Sequence, residues 1–178
     1  MPLDHVYTGA NGILSLDPDP SNKPEGDDAK KVLDTYTISS ATPLGRVTGV
    51  EIHVNTDLQG YYEIGRRHPV SLHPENIHIS GKVNRAYVNG ALLFLLLGQG
   101  VNPSLRKEPY AQPAMIMNVQ LQDPARPDSH CVVSLMGLKF ENWAFSLPED
   151  DFVMENVTFK ALSMSIQDFD PKMKDIFA

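Results

Sequence analysis

Four stretches of this chain alternate apolar and polar residues with a period of two, and this pattern limits the folds that the chain can adopt. Their apolar positions are Val50, Ile52 and Val54; Ile77, Ile79 and Val83; Met115, Met117, Val119 and Leu121; and Val153, Val157 and Phe159. A period of two puts alternate side chains on opposite faces of a strand, which is typical of antiparallel sheets with one buried face. The sequence therefore predicts a mostly β fold, an antiparallel β-sandwich or barrel around one core.

The last of these stretches changes phase along its length. Its apolar residues move from odd positions to the even positions Leu162, Met164 and Ile166. One extra residue in a strand sends every later side chain to the other face, so the shift predicts a β-bulge near residues 160–161. Gly137 interrupts an earlier apolar stretch in a similar way.

Residues 89–98, NGALLFLLLG, depart from the alternation. Asn89 is a capping residue in front, Gly98 follows behind, and the residues between them form helices readily and are not β-branched. This favours a short packed helix of about two turns laid across the sheet. A central strand is the alternative, because periodicity does not separate the two in so short an apolar run. Residues 101–113 hold three prolines and predict a long irregular connection.

Composition excludes several classes of protein. A length of 178 residues suits a single domain over 1–178. The 22 acidic and 15 basic residues give a net charge of −7, which argues against tight binding of nucleic acid through its phosphates. A single cysteine, Cys131, excludes an internal disulfide and a cysteine-based zinc cluster. The two ends are acidic and residues 35–140 are mildly basic, which permits head-to-tail pairing between copies; from charge alone, two solvated ends on a monomer are the favoured alternative.

Neither a leader nor a membrane segment is expected. The first residues carry no basic region followed by an apolar one, and the longest apolar run, residues 91–97, is far shorter than the roughly 20 residues that span a bilayer. We therefore expect synthesis in a cytoplasm and no membrane partner.

Residues 15–31, SLDPDPSNKPEGDDAKK, are rich in proline and acid. Such a composition is typical of a loop and not of a core element. The sequence predicts an extended acidic loop or arm here that reaches a neighbouring subunit, with Asp17 and Asp19 as candidate contacts.

No pattern of residues indicates catalysis, a cofactor or a metal. His68, His73 and His78 are spaced five apart, which would turn successive side chains to opposite faces of a strand. Cys131 follows His130 directly, and adjacent strand residues do not form a nucleophile–base pair. We expect surface histidines, a core or sheet cysteine, and no enzyme.

Residues 57–74, DLQGYYEIGRRHPVSLHP, separate two predicted strands by far more than a tight hairpin needs. Tyr61 and Tyr62 lie close to Arg66 and Arg67 in this excursion. An amphipathic excursion buries little against its own core, so it needs a partner surface. Stacking of single-stranded nucleic acid is one alternative; pairing of the arginines with carboxylates of another protein is the interpretation that we favour.

The order of these segments resembles the tail tube proteins of tailed bacteriophages, a superfamily that includes the tube of type VI secretion. The resemblance covers roughly residues 45–168 and lies in four features: the G-R-R-x-P-V excursion, the following S-G-x-V-x-R-A strand, the N-G-capped apolar helix, and the closing V-T-F-K-A-L-S-M-S-I-Q-D strand.

The resemblance implies a structural protein of the virion tail that is assembled in the host cytoplasm. Six copies would pair edge to edge in a ring, and stacked rings would form a hollow tube for genome ejection through which DNA passes without sticking. The implied partners are further copies of the chain, with sheath, tape measure, baseplate and terminator proteins. Residues 57–74 would be the ring-stacking loop, and the inter-subunit contact candidates are Tyr61, Tyr62, Arg66, Arg67, Asp17 and Asp19. The alternatives are a related ring component, such as a terminator or baseplate protein, and a monomeric β-sandwich binding module.

Overall fold

The computed structural model describes residues 6–39, 42–102, 104 and 111–169. Its strands and α-helices, in chain order, are β1 (Gly12–Pro18), α1 (Glu25–Thr35), β2 (Val47–Tyr61), β3 (Ser71–Ala86), α2 (Ala91–Leu97), β4 (Met115–Gln122), β5 (His130–Ser146), β6 (Met154–Ala161) and β7 (Ser163–Phe169). The fold is mostly β, as the alternation predicts.

All strand pairings are antiparallel and join the strands into one curled, seven-stranded sheet. Six strands follow the order β1-β4-β5-β6-β3-β2, and β7 pairs with β5 off this path. The long strand β5 belongs to both halves of this sheet. Its first half lies between β4 and β7, and its second half pairs with β6, which continues the sheet to β3 and β2. Near the two ends of the sheet, the Leu44 backbone N–H donates to the carbonyl of Leu14 at 2.8 Å.

The core lies inside the curl and is closed by the two helices. The helix residues buried there are Ala29 and Leu33 of α1 and Ala91, Leu92 and Leu95 of α2, and they pack against strand residues such as Leu16, Met117, Leu135, Phe140, Val157 and Phe159. The short helix predicted over 89–98 is confirmed, and the central-strand alternative is wrong.

A buried polar network ties the start of α2 to the sheet. Glu155 of β6 accepts from Arg85 Nε of β3 at 2.7 Å and from Trp143 Nε1 of β5 at 2.9 Å. Arg85 also donates to the backbone carbonyl and side-chain oxygen of Asn89, whose side chain accepts from the Ala91 N–H at 3.2 Å. Asn89 therefore caps α2 while it is itself held by the sheet.

The phase shift of the closing strand is confirmed and lies at Leu162, but the predicted β-bulge near residues 160–161 is wrong, because neither strand holds an extra residue there. Pairing with β5 runs up to Lys139↔Lys160 and resumes at Met136↔Ser163, so both strands advance by the same number of residues. Gly137 sits across the gap with φ +61°. The two strands change phase together, and this joint break is where the sheet divides into its two halves.

The extended arm predicted over residues 15–31 is wrong, because these residues complete β1 and form most of α1. The acids Glu25, Asp27 and Asp28 fall in the first turn of α1, where the helix dipole favours negative charge. Asp19 is only 3% exposed and accepts from the backbone and side chain of Ser21 between these two elements. It is therefore not available as an inter-subunit contact. The predicted irregular connection begins with a 3-10 turn, Gly98–Val101, and lies partly outside the described residues.

Candidate assembly surfaces

The largest exposed feature is a projecting hairpin made by the distal halves of β2 and β3. Pairing of β3 with β6 stops at Ile79, whereas pairing of β3 with β2 continues outward to Tyr61↔Ser71. We call residues 54–78 the hairpin arm. The predicted loop over 57–74 therefore has an unpaired tip between Tyr61 and Ser71, and the residues on either side of the tip belong to the paired strands β2 and β3.

One face of the hairpin arm is apolar. The strand register places Val54, Leu58, Leu72 and Ile77 on this face. Val54 is paired with Ile79 and Gly60 with Leu72, and β3 holds one extra residue between Ile77 and Pro74, which keeps both ends of the arm in phase. This face continues the core side of the sheet, since Ile79 is buried. Leu58, Leu72 and Ile77 nevertheless remain 60%, 59% and 65% exposed. Such a contiguous apolar surface marks an interaction site.

The opposite face of the hairpin arm is polar and includes two of the three spaced histidines. His78 Nε2 lies 2.9 Å from Asp57 Oδ2, and His73 Nε2 lies 3.0 Å from the Ser71 hydroxyl. Both are surface contacts, as expected. Within the described residues, no group of three His, Cys, Asp or Glu side chains could hold a metal ion.

The tip brings the four predicted contact residues together. Val70 N–H donates to the carbonyl of Tyr61 at 2.8 Å and closes the tip, and Tyr61, Tyr62 and the adjacent Ile64 are largely exposed. Arg66 Nε lies 3.7 Å from the Glu63 carboxylate, and Arg67 is exposed beside it. Cations and large apolar side chains thus stand at the far end of the arm. Asp17, the remaining candidate, lies elsewhere, on β1.

A second exposed apolar surface lies on β7. Met164 and Ile166 are paired with Leu135 and Val133, so they point to the core side of the sheet. Leu135 is fully buried, but Ile166 is largely exposed, as is Leu162 at the break. We call Leu162, Met164 and Ile166 the β7 apolar face. Sequence reasoning found these apolar positions and did not find that they lie uncovered at a sheet edge.

Among the described residues, β1, β2 and β7 each pair with a strand on one side only. No described strand pairs with their outer edges, so these edges can pair with another chain; on β1 the Leu14 carbonyl is already bonded to the Leu44 N–H. The four strands β1, β4, β5 and β7 therefore form a sheet segment that is open on both sides.

The outward face of this segment is mostly polar. Ser15, Asn118, Ser134 and Ser165 form a cross-strand row, flanked by Gln120 and Gln167. Asn118 Nδ2 donates to Asp17 Oδ2 at 3.1 Å, and the Ser134 hydroxyl donates to Asn118 Oδ1 at 2.7 Å. Five apolar residues also lie on this face: Ile13, Ile116, Val132, Met136 and Phe169. Among the described residues of these strands, Asp17 is its only carboxylate.

Cys131 lies on the other side of the same segment and is buried. Burial raises the pKa of its thiol from an ordinary 9.0 to about 11, and a hydrogen bond to Asp168 and the charge of that carboxylate act in the same direction. The thiol is thus held neutral and unreactive at ordinary pH, in agreement with the predicted sheet cysteine.

No protein-family model matches the chain, and no characterised protein matches it by sequence. Solved structures do match. The SPP1 tail tube matches with a TM-score of 0.54 and 7% identity over 92% of this chain and 80% of that one. The chain has the tail tube fold. The chain also matches two chains of the PVC extracellular contractile injection system. The match in the sheath–tube complex has a TM-score of 0.61 and 9% identity over 93% of this chain and 94% of that one. The match in the sheath/tube terminator has a TM-score of 0.63 and 9% identity over 93% of this chain and 99% of that one.

At these identities the matches establish the fold and no more. They agree with the predicted tail-tube resemblance, and the neighbours with this fold are structural tube components. In the part of the chain that the structure describes, none of the helices is long and apolar enough to cross a membrane.

Proposed function

We propose that this chain is the structural subunit of a phage-type tail tube, in which six copies close a ring and stacked rings enclose a conduit for genome ejection. The observation that carries the proposal is the four-stranded segment β1-β4-β5-β7 with both outer edges open, on a chain that has the tail tube fold. Pairing of β7 of one copy with β1 of the next satisfies both edges, and ring closure removes the aggregation hazard that they pose.

In such a ring the polar face of the segment lines the channel, because the helices and core lie on its other side. Amide and hydroxyl groups there offer phosphate groups no cation, and Asp17 repels them. DNA would pass such a wall without being held by counterion release. Asp17 is thus assigned to the channel wall and not to an acidic arm.

The hairpin arm supplies the contact between rings in this proposal. Rings that stack head to tail need two dissimilar complementary surfaces, and the arm carries an exposed tip with two arginines that its own core does not cover. Assembly takes place in the host cytoplasm, the product is part of the virion tail, and the further partners are sheath, tape measure, baseplate and terminator proteins.

A second candidate is a terminator-type or baseplate ring component, because the sheath/tube terminator matches with a TM-score of 0.63 over 99% of its length. A terminator protein would form a single ring, and further rings would not stack on it. The monomeric binding-module alternative leaves the open edges and the apolar surface of the arm unused.

The test is negative-stain electron microscopy of the purified chain at high concentration, with light scattering on the same sample. Hollow tubes are expected; single rings that never stack support the terminator candidate, and a strict monomer at all concentrations counts against both. The double variant Arg66→Glu/Arg67→Glu should yield rings without tubes. Lys23→Glu/Lys30→Glu, which makes the same charge change at exposed positions before and within α1, should leave tubes intact.

A further inference from the structure

Two apolar sheet surfaces of one chain lie uncovered, and both begin at the same point. The β3–β6 pairing ends at Ile79↔Ala161, and from there the hairpin arm leaves with β3 while β7 continues along β5. No strand pairing joins β3 to β7 in the described residues. The apolar face of the arm and the β7 apolar face thus diverge from a common corner of the core.

We propose that the apolar face of the hairpin arm of one copy docks on the β7 apolar face of a copy in the adjacent ring. The inference rests on the proposed tube function and names the surface that receives the arm. A contact between two different patches of the same chain is heterologous and extends into rings or filaments, whereas arm-to-arm or β7-to-β7 contacts are isologous and stop at dimers. One arm-to-β7 contact per copy covers both surfaces on every copy.

The arm is free to offer one face to such a contact. Residues 54–78 are nearly all exposed, and alternate strand positions place their apolar residues on one face. At the contact, Leu58, Leu72 and Ile77 meet Leu162, Met164 and Ile166. Burial of aliphatic side chains removes apolar surface from water, so these residues on each side form the centre of an interface.

The charges at the far ends are complementary as well. If the arm runs from the Ser163 end of β7 toward Phe169, its tip reaches the end of β7 beside the β4–β5 connection, since His130 pairs with both Phe169 and Gln122. The ionisable groups at this end are Asp123, Arg126, Asp128 and Asp168, an acidic set. The tip carries Glu63, Arg66, Arg67 and His68, a basic set. Opposite charges of this kind fix the register of a contact.

The test uses cysteine cross-linking between differently tagged copies of the full chain in a Cys131→Ser background. Leu72→Cys is placed on one copy and Ile166→Cys on the other, and a short bismaleimide is added to each variant alone and to the mixture. Cross-linked dimers are expected in the mixture and not in either variant alone. The controls are Gln59→Cys, on the polar face of the hairpin arm, and Gln167→Cys, on the opposite face of β7, and their yield should be at least ten-fold lower.

Dimers that form with Leu72→Cys alone or Ile166→Cys alone would overturn the inference in favour of an isologous contact. A mixed yield no higher than that of the controls would also overturn it. In a chain with both cysteines, a bridge within one chain at low concentration would mean that the arm folds back on its own β7, which contradicts docking on a copy in the adjacent ring.

Microscopy of the same mixtures separates this inference from the tube function. Mixed cross-links without rings or tubes count against the proposed function and support the docking contact. Tubes without mixed cross-links sustain the proposed function and overturn the docking contact.

Discussion

At the scale of single residues, the buried pair of Arg85 and Glu155 is the most demanding element of the core. Their side chains are almost completely buried, and Glu155 accepts from both Arg85 and Trp143. A charge in such a place is tolerated only while its partners remain, because desolvation of a lone ion costs several kcal/mol. The pair specifies where β3, β5, β6 and α2 meet.

Glu155→Ala should lower the free energy of unfolding by about 3–5 kcal/mol, because it leaves the Arg85 guanidinium buried without a counter-ion. Chemical denaturation measures the loss. The matched control is Glu141→Ala, which removes the exposed contact with Lys160 at 3.0 Å and should cost no more than about 1 kcal/mol. A double replacement, Arg85→Met/Glu155→Leu, should recover much of the stability, and equal losses in the single and double variants would contradict this account.

Cys131 predicts how stability depends on pH. Its pKa is raised in the folded state to about 11, so between pH 9 and 11 the unfolded chain loses the thiol proton while the folded chain keeps it. The unfolded state then binds fewer protons, and stability falls as pH rises through this window. The fall should be shallower in Cys131→Ala, as measured by denaturation curves at pH 8 and 10.5. Parallel pH profiles for the two proteins would argue against the raised pKa.

At the scale of elements, the joint break at Gly137 and Leu162 separates the half of the sheet with open edges from the half that carries the hairpin arm. Gly137 has φ +61°, and a Cβ there would lie 2.6 Å from Leu162 Cδ1. Both the backbone conformation and the contact therefore require glycine.

Gly137→Ala should lower the free energy of unfolding through both effects. The added variant Gly137→Ala/Leu162→Ala removes the contacts with Leu162 Cδ1 and Cγ, keeps the 3.0 Å contact with its Cβ, and leaves the left-handed backbone, so at least about 1–2 kcal/mol of the loss should remain. Gly45→Ala is the control, since nothing lies within 4 Å of a Cβ at that position and its φ is ordinary. Full recovery in the double variant would show that the backbone conformation is not strained.

The elements differ in how far the sequence predicts them. Alternation located β2, β3, β4 and the closing strands because each has one buried face, and the apolar run 91–97 located α2. The same reasoning failed at residues 15–31, where prolines suggested a loop. Pro18 ends a strand and Pro24 precedes a helix, so these prolines mark the bounds of two elements. The helix buries only two apolar side chains, Ala29 and Leu33, and two residues do not make a recognisable helical pattern in the sequence.

The candidate surfaces were predicted in part for a related reason. The length and the amphipathic composition of residues 57–74 pointed to the tip of the arm, with Tyr61, Tyr62, Arg66 and Arg67. Exposure of the β7 apolar face depends on which strands lie beside β7, and that is a property of the sheet order and not of the local sequence.

At the scale of the whole molecule, the hairpin arm is separable from the core. Its residues pack on little else, so a chain in which residues 56–77 are replaced by Asn-Gly, which joins Asn55 to its partner His78, should form a two-residue hairpin turn. We expect the free energy of unfolding to change by less than about 1 kcal/mol, because surface changes away from the core have small effects. Denaturation checks the fold, and light scattering should show that tubes are lost. Tubes formed by this variant would show that the hairpin arm is not needed for assembly.

The length of β5 has a mechanical consequence. This single strand of 17 residues is hydrogen-bonded to β4 and β7 over one half and to β6 over the other. A mechanical force applied to the hairpin arm is transmitted through β3 and β6 to β5, and from β5 to the neighbouring strands β4 and β7. Because antiparallel hydrogen bonds lie perpendicular to the strands, a pull along β5 loads many of them in shear at once, and they must fail together. The strand that joins the two halves of the fold is thus also its tension-bearing member.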